Sequence, residues 1–356
     1  MATSADVRVA ADAGRQANAS ITYPMNGARH VTIIGAGVAG LTAALELSLA
    51  GAVVDILERG PRPGPQSCGW FAGGMLSPWY ERADTDPLVM EWGQQALEWW
   101  PKYYPRTVLA GTLVVARPRD RSELQRYAQR TSGFEWLDAD GIAGLEPDLA
   151  GRFQQGLFFA REGHLDPRQA VTVLVELLTA RGVTIHFGTT ATDAATSDGI
   201  VLDCRGPAAR DALPELRGVR GEMAQVKTHD IHLSRPVRLL HPRTPMYVIP
   251  RDEDVFMLGG TVIESDEQGP VTARSAVELL NGAYAIHPAF GEAQIMELGV
   301  GIRPALPDNL PHLILRGRRW YLNGLFRHGF LLSPAMARQA AQTLLDPNGV
   351  ALCTSS

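Results

Sequence analysis

The chain has 356 residues, 45% hydrophobic and 20% charged, an ordinary globular composition with length for about two domains. Its formal net charge of −5 speaks against nucleic acid as the main partner, because phosphate binding needs a basic face. Three cysteines without C-x-x-C spacing, Cys68, Cys204 and Cys353, argue against a disulfide framework or a metal site, and no apolar run reaches the roughly 18 residues of a membrane-spanning helix.

Residues 1–29 are rich in Ala, Ser and Asn and lack the apolar stretch of a signal peptide. They read as a disordered extension of a soluble cytoplasmic protein, with Met25 an alternative start. Order is expected from His30. Val31–Ile34 is a β-branched apolar run that predicts a buried strand, followed by Gly35-Ala36-Gly37-Val38-Ala39-Gly40. Good helix formers with leucines run to Gly51, and Val53–Leu57 predicts a second strand ending at Glu58-Arg59. Three prolines between Gly60 and Pro65 make a loop.

Helices are then expected over 88–104, 122–130, 168–181, 273–284 and 333–345. Strands are expected at 113–115, 183–187, 199–204, 246–249, 255–258 and 320–322, with a turn around Asp252-Glu253-Asp254. There is no internal repeat.

The first 30 ordered residues have the strand, glycine turn, helix and strand of a dinucleotide-binding unit. Gly35 allows the tight turn, Gly37 lets a pyrophosphate approach the backbone, and Gly40 lets helix and strand pack closely. The helix start offers free N–H groups and the positive dipole end to phosphate. Glu58, 18 residues beyond Gly40, suits the two ribose hydroxyls of adenosine and would repel a 2′-phosphate. The motif alone does not separate FAD from NAD, since both present the same ADP half.

Later elements narrow the choice. They are Ala72-Gly73-Gly74-Met75-Leu76, Met246-Tyr247-Val248-Ile249-Pro250-Arg251, Gly301-Ile302-Arg303-Pro304 and the turn Gly324 to Pro334 around Arg327-His328-Gly329. In this order they resemble the D-amino-acid oxidase superfamily of flavoenzymes, over about residues 30–345. Within it the Gly-Gly-Met-Leu and Arg-x-Gly-x-Leu-Leu-x-Pro patterns look most like glycine oxidase of thiamine biosynthesis.

The resemblance implies an α/β chain with a Rossmann-like FAD-binding domain (30–87, 151–212 and 295–346) and an α+β antiparallel-sheet substrate domain (88–150 and 213–294), as in the D-amino-acid oxidase and glutathione reductase type. Residues 347–356 form a tail, and ligand is expected where the domains meet. It also implies that Val38 and Ala39 meet the pyrophosphate and that Glu58 and Arg59 meet the adenosine ribose. Cys68, Gly69, Gly73, Gly74 and Met75 would line the flavin. The backbone from Leu325 through Phe326, His328, Gly329 and Phe330 to Leu331 would pass its pyrimidine edge. Cys68-Gly69 stands where the family often has Thr or Ser. No cysteine lies in Gly301–Pro311 to anchor flavin, so FAD is expected to be non-covalent.

Arg303 would clamp a substrate carboxylate, with Arg327 as a second contact and Tyr247 facing the substrate. An arginine fork suits a carboxylate because it bonds both oxygens at once. An ion pair of Arg303 with Asp308, and simple packing of Tyr247 on a sheet, are the structural alternatives. No side chain is needed as a base, because the substrate's amine lone pair can expel the hydride; His328 reads as structural. The expected reaction is oxidative deamination of glycine or a similar small amino acid with oxygen as acceptor. Sarcosine, D-alanine or D-proline as donor, or a quinone or protein as acceptor, remain open, and a homo-oligomer is implied by resemblance alone.

Overall fold

A computed structural model describes residues 29–190 and 199–346. The expected tail, Cys353 and all of the expected N-terminal extension except Arg29 lie outside the described residues. Arg29 itself is ordered and donates to the Leu344 carbonyl at 2.8 Å. The described residues form two compact units, one drawn from 29–67, 171–190, 199–217 and 304–346, the other from Cys68–Ala170 and Gly218–Arg303.

The first unit holds a six-stranded sheet in the order His312–Arg316, Arg319–Asn323, Ile200–Asp203, His30–Ile34, Val53–Glu58 and Thr184–Phe187. All neighbours are parallel except the edge pair His312–Arg316 with Arg319–Asn323. Val31, Ile33 and Ile34 of the central strand are buried, as a β-branched run covered on both faces must be. Helix Val38–Leu49 packs against the C-terminal helix Gly329–Leu345. The latter starts four residues before the expected Ser333. Ser333-Pro334 looks like a helix start in sequence, but Pro334 sits inside the helix, at the loss of one intrahelical hydrogen bond.

The second unit holds an eight-stranded sheet in the order Gln294–Ala305, Arg217–Lys227, Val255–Gly259, Met246–Pro250, Val237–Leu240, Thr112–Ala116, Gln155–Phe159 and Glu135–Asp138. Thr112–Ala116 runs parallel to Val237–Leu240 and antiparallel to Gln155–Phe159, which is antiparallel to Glu135–Asp138; Val237–Leu240, Met246–Pro250, Val255–Gly259 and Arg217–Lys227 pair antiparallel in turn. The two-residue alternation sorts its side chains cleanly. Leu113, Val115, Val237, Leu239, Met246, Val248, Phe256 and Leu258 form one core with Ala283 and Ile286 of helix Ala273–Ile286. The residues between them, including Val114, Arg238, Tyr247, Ile249 and Met257, face the other way.

Two expectations need adjusting. Residues 68–87, 151–170 and 295–303, read from sequence as part of the nucleotide-binding domain, fall in the second unit, and 213–217 fall in the first. The cause is strand pairing: Gln155–Phe159 bonds Thr112–Ala116 and Glu135–Asp138, and Gln294–Ala305 forms an edge of the same sheet. The helix expected over 88–104 is two helices, Pro87–Gly93 and Ala96–Tyr103, the first capped by the Asp86 carboxylate on the Leu88 N–H. No described helix is long and apolar enough to cross a membrane.

Candidate active site

In the first unit the glycine turn has the shape its spacing predicts. Gly35 has φ +103, and a Cβ on Gly40 would lie 1.9 Å from the Gly35 carbonyl oxygen, so turn and helix can meet only without side chains. Gly37 is the N-cap of helix Val38–Leu49, and no side chain caps it, which leaves the helix start open to an anion. Val38 and Ala39, in its first turn, are each 9% exposed.

Glu58 is buried at the end of the second strand, where its Oε2 accepts from the Ala36 N–H at 2.7 Å and its Oε1 from the Gly60 N–H at 2.8 Å. The carboxylate is thus tied to the glycine turn itself, and each oxygen keeps a further lone pair for a hydroxyl. Arg59 is exposed.

The turn at the end of the last strand also belongs to this unit. Phe326 adopts φ +47, its N–H donates to the Pro304 carbonyl at 2.9 Å, and the His328 N–H donates to the Leu325 carbonyl at 2.8 Å. Leu325, His328, Phe330 and Leu331 are buried. Arg327 is exposed; its Nε donates to His328 Nε2 at 3.2 Å. Helix Gly329–Leu345 starts here, again without a side-chain cap. A Cβ on Gly329 would lie 3.4 Å from Val38 Cγ1, so the two uncapped helix starts are neighbours. Two positive dipole ends side by side favour negative charge.

The second unit brings together a different set. Cys68 and Gly69 open a short 3-10 turn that packs on Gly301, whose Cβ would lie 3.2 Å from the Cys68 carbonyl oxygen. Burial pushes the Cys68 thiol pKa up, and the Arg303 charge acts in the opposite direction. Arg303 is half-buried on strand Gln294–Ala305, and its Nη1 donates to the Thr261 carbonyl at 2.9 Å and the Arg220 carbonyl at 3.5 Å. A Cβ on Gly221 would fall 2.1 Å from Arg303 Nη2, so the guanidinium lies flat on the neighbouring strand. Asp308, its suggested alternative partner, accepts from the His312 ring at 2.7 Å and the Leu310 N–H at 3.1 Å.

Tyr247 is half-buried, opposite Gly259 in the sheet, and its ring packs against Gly73, where a Cβ would lie 3.2 Å from Cε2. Gly74 has φ +71, and a Cβ there would be 2.3 Å from the Leu165 carbonyl oxygen. Met75 pairs with His164 across a short antiparallel ladder. Phe71, Met75 and Tyr247 cover the buried cluster Met223, Ile249 and Met257.

Two features here were missed in the sequence. Arg238, opposite Tyr247 on the next strand, is buried with its guanidinium 3.5 Å from the centroid of the Tyr80 ring and 5.8 Å from that of Tyr247. Burial opposes its charge, yet Tyr80, Glu81 and Glu162 raise its pKa overall. Fully buried Glu162 accepts from the Tyr80 N–H at 2.7 Å, and burial pushes its pKa up to about 7. The other feature is Arg251, whose Nη2 donates to the Gly73 carbonyl at 2.6 Å. Nothing in the local pattern marks Arg238 or Glu162, whereas Arg251 stands in view directly after Tyr-Val-Ile-Pro.

Residues 30–343 match the model of the DAO family, described as FAD dependent oxidoreductase. A Rhizobium etli protein that carries the provisional name thiamine biosynthesis oxidoreductase ThiO is 53% identical over 320 residues, covering 90% of this chain and 97% of the relative. A glycine oxidase of Pseudomonas aeruginosa is 25% identical over 89% of this chain and 96% of its own. Among solved structures, glycine oxidase from Geobacillus kaustophilus superposes with TM-score 0.73 at 21% identity, over 89% of this chain and 95% of that one. Iminodiacetate oxidase from Chelativorans gives 0.72 at 23% identity, over 88% and 94%; these two likenesses speak to the fold. The chain belongs to the DAO family of FAD-dependent oxidoreductases.

Proposed function

We propose that the protein oxidises the Cα–N bond of glycine, or of an amino acid of similar size, with oxygen as the final acceptor, and that it serves thiamine thiazole synthesis. The observation that carries this reading is Arg303, a half-buried guanidinium anchored by backbone carbonyls beside the Cys68–Gly69 turn. The 53% identity to the Rhizobium etli relative, over nearly all of that protein, supports the thiamine context.

FAD suits the residues present: an uncapped glycine turn for the pyrophosphate and a buried carboxylate for the ribose. Gly35, Gly37, Val38, Ala39, Gly40, Glu58 and Arg59 would hold its ADP half. Cys68, Gly69, Gly73, Gly74 and Met75, with the backbone of Leu325 to Leu331, would receive the flavin without a covalent bond. When bound, FAD would supply the two-electron acceptor for the substrate hydride, with oxygen as its reoxidant and hydrogen peroxide as the product.

The chain's own task is binding and orientation. Arg303 would hold the substrate carboxylate through its fork, with Arg327 as a second contact, and the Tyr247 hydroxyl would donate to a carboxylate oxygen. With the carboxylate fixed and the amine neutral, the nitrogen lone pair forms the C=N bond as the Cα hydride leaves. The resulting iminium then sheds a proton, and water converts the imine to glyoxylate and ammonia. No side chain has to act as a base.

The test is the visible spectrum of the purified protein under anaerobic conditions, before and after glycine. Bleaching of the flavin bands, reversed by oxygen with formation of peroxide, is the expected result. A flavin that glycine, sarcosine and D-alanine all leave oxidised would overturn the reading.

A further inference from the structure

The motif Met246 to Arg251 ends in an arginine to which the proposed reaction assigns no part. Its side chain is only 8% exposed, and its nearest acid, Asp166, lies 3.8 Å from Nε. Asp166 Oδ1 accepts from the backbone N–H groups of Arg168 at 2.8 Å and Gln169 at 3.1 Å, and the oxygen 3.8 Å from Arg251 is Oδ2. Arg251 is therefore a buried cation with a distant counter-ion, an arrangement that is costly by itself. Burial lowers its pKa, with Asp166 opposing. Neighbouring His164 is held neutral, its pKa pushed down to about 3 by burial and by the Arg251 charge.

What the guanidinium holds closely is backbone. Nη2 meets the Gly73 carbonyl at 2.6 Å, and Nη1 meets the Pro250 carbonyl at 3.5 Å. Tyr247, Ile249 and Arg251 are alternate residues along one strand and its end, so they share a face. All three converge on Gly73: a Cβ there would lie 2.8 Å from Ile249 Cδ1 and 3.2 Å from Tyr247 Cε2. A Gly-Gly peptide has no side chain to lock it, and its plane can rotate at low cost. The carbonyl of Gly73 and the N–H of Gly74 lie in one plane and point opposite ways. Gripping the carbonyl therefore also aims the N–H.

We propose that Arg251 is a positioning residue that holds the Gly73–Gly74 peptide in a single orientation, and with it the backbone that receives the flavin and the Tyr247 ring that packs on it. This rests on the reading that Gly73 and Gly74 line the flavin.

The experiment compares wild type with Arg251→Met and Arg251→Lys. Apoprotein is titrated with FAD and followed by flavin fluorescence, the bound visible spectrum is recorded, and KM and kcat for glycine are measured. Loss of a charged hydrogen bond should weaken FAD binding in Arg251→Met by roughly ten- to a hundredfold and shift the flavin bands. The lysine variant, with one reachable donor, should recover part of both. Wild-type FAD affinity and an unchanged spectrum in Arg251→Met, even with a lower melting temperature, would make Arg251 a stability residue and overturn the proposal. If Arg251→Met does not fold, Arg251→Gln, too short to reach Gly73, is read in the same way; failure of both to fold overturns it too. A wild-type protein that binds FAD but ignores glycine would remove the substrate reading and leave this test intact, because its main readout is FAD affinity.

Discussion

In the first unit, a six-residue glycine turn, a helix start and one carboxylate 18 residues further on make the surface proposed to hold a dinucleotide. Most of that surface is backbone, and the side chain that completes it, Glu58, is hydrogen-bonded to the turn itself. In the second unit the corresponding features are side chains: Arg303, Tyr247, Arg238 and Arg251, set on or just beyond three separate strands. Each stands where it does because of which strand lies beside it. A backbone site tolerates change wherever no side chain enters. A site of buried charged side chains transmits every change in its neighbours, since each charge needs its partners in place.

The largest effect should come from the second unit. Arg303→Ala is expected to raise KM for glycine by roughly a hundredfold or more, the scale of removing a charged partner from a partly desolvated carboxylate, while FAD stays bound. Steady-state kinetics on FAD-saturated enzyme check this, and an unchanged KM would remove Arg303 from the clamp. Next is Glu58→Ala in the first unit. It should weaken FAD binding roughly ten- to a hundredfold and leave KM for glycine near its native value once FAD is saturating. If instead it changed KM strongly with FAD saturating, the separation of tasks between the two units would fail.

The smallest effect concerns stability. Burial raises the folded pKa of Glu162 from its ordinary 4.5 to about 7, so the folded state holds its proton more tightly than the unfolded chain. Its stabilising contribution is complete below pH 4.5 and is lost as pH rises through about 7, by at most on the order of 3 kcal/mol. Glu162→Gln should therefore melt close to wild type at pH 4.5 and above it at pH 8, as thermal melts at the two pH values would reveal. A difference independent of pH would mean that Glu162 is already ionised at the lower value.

The nucleotide turn was legible because its parts are local. Gly35, Gly37, Gly40 and Glu58 lie within one strand–helix–strand unit, where Gly35 takes φ +103, Gly40 packs on the Gly35 carbonyl and Glu58 bonds the Ala36 N–H. The second unit was read through resemblance, which pointed at Arg303 and Tyr247 but passed over Arg238, Glu162 and Arg251. Arg238 matters because it lies opposite Tyr247, and that pairing joins two strands through a turn whose register no short window of sequence reveals. The domain boundaries shifted for the same reason: Gln155–Phe159 joins the eight-stranded sheet through partners about forty residues before it and twenty before it in the chain.

By itself the sequence determined the strand, glycine turn, helix and strand at the start of the described chain and the order of the family's motifs, because strand alternation, glycine spacing and helix starts are set by residues within a turn or two of one another. Only the tertiary structure decided that Glu58 is tied to the glycine turn, that Arg303 lies flat on Gly221, and that Tyr247, Ile249 and Arg251 close together on Gly73. Those contacts join segments far apart in the chain, and their energies depend on burial and register that exist only once the sheets have formed.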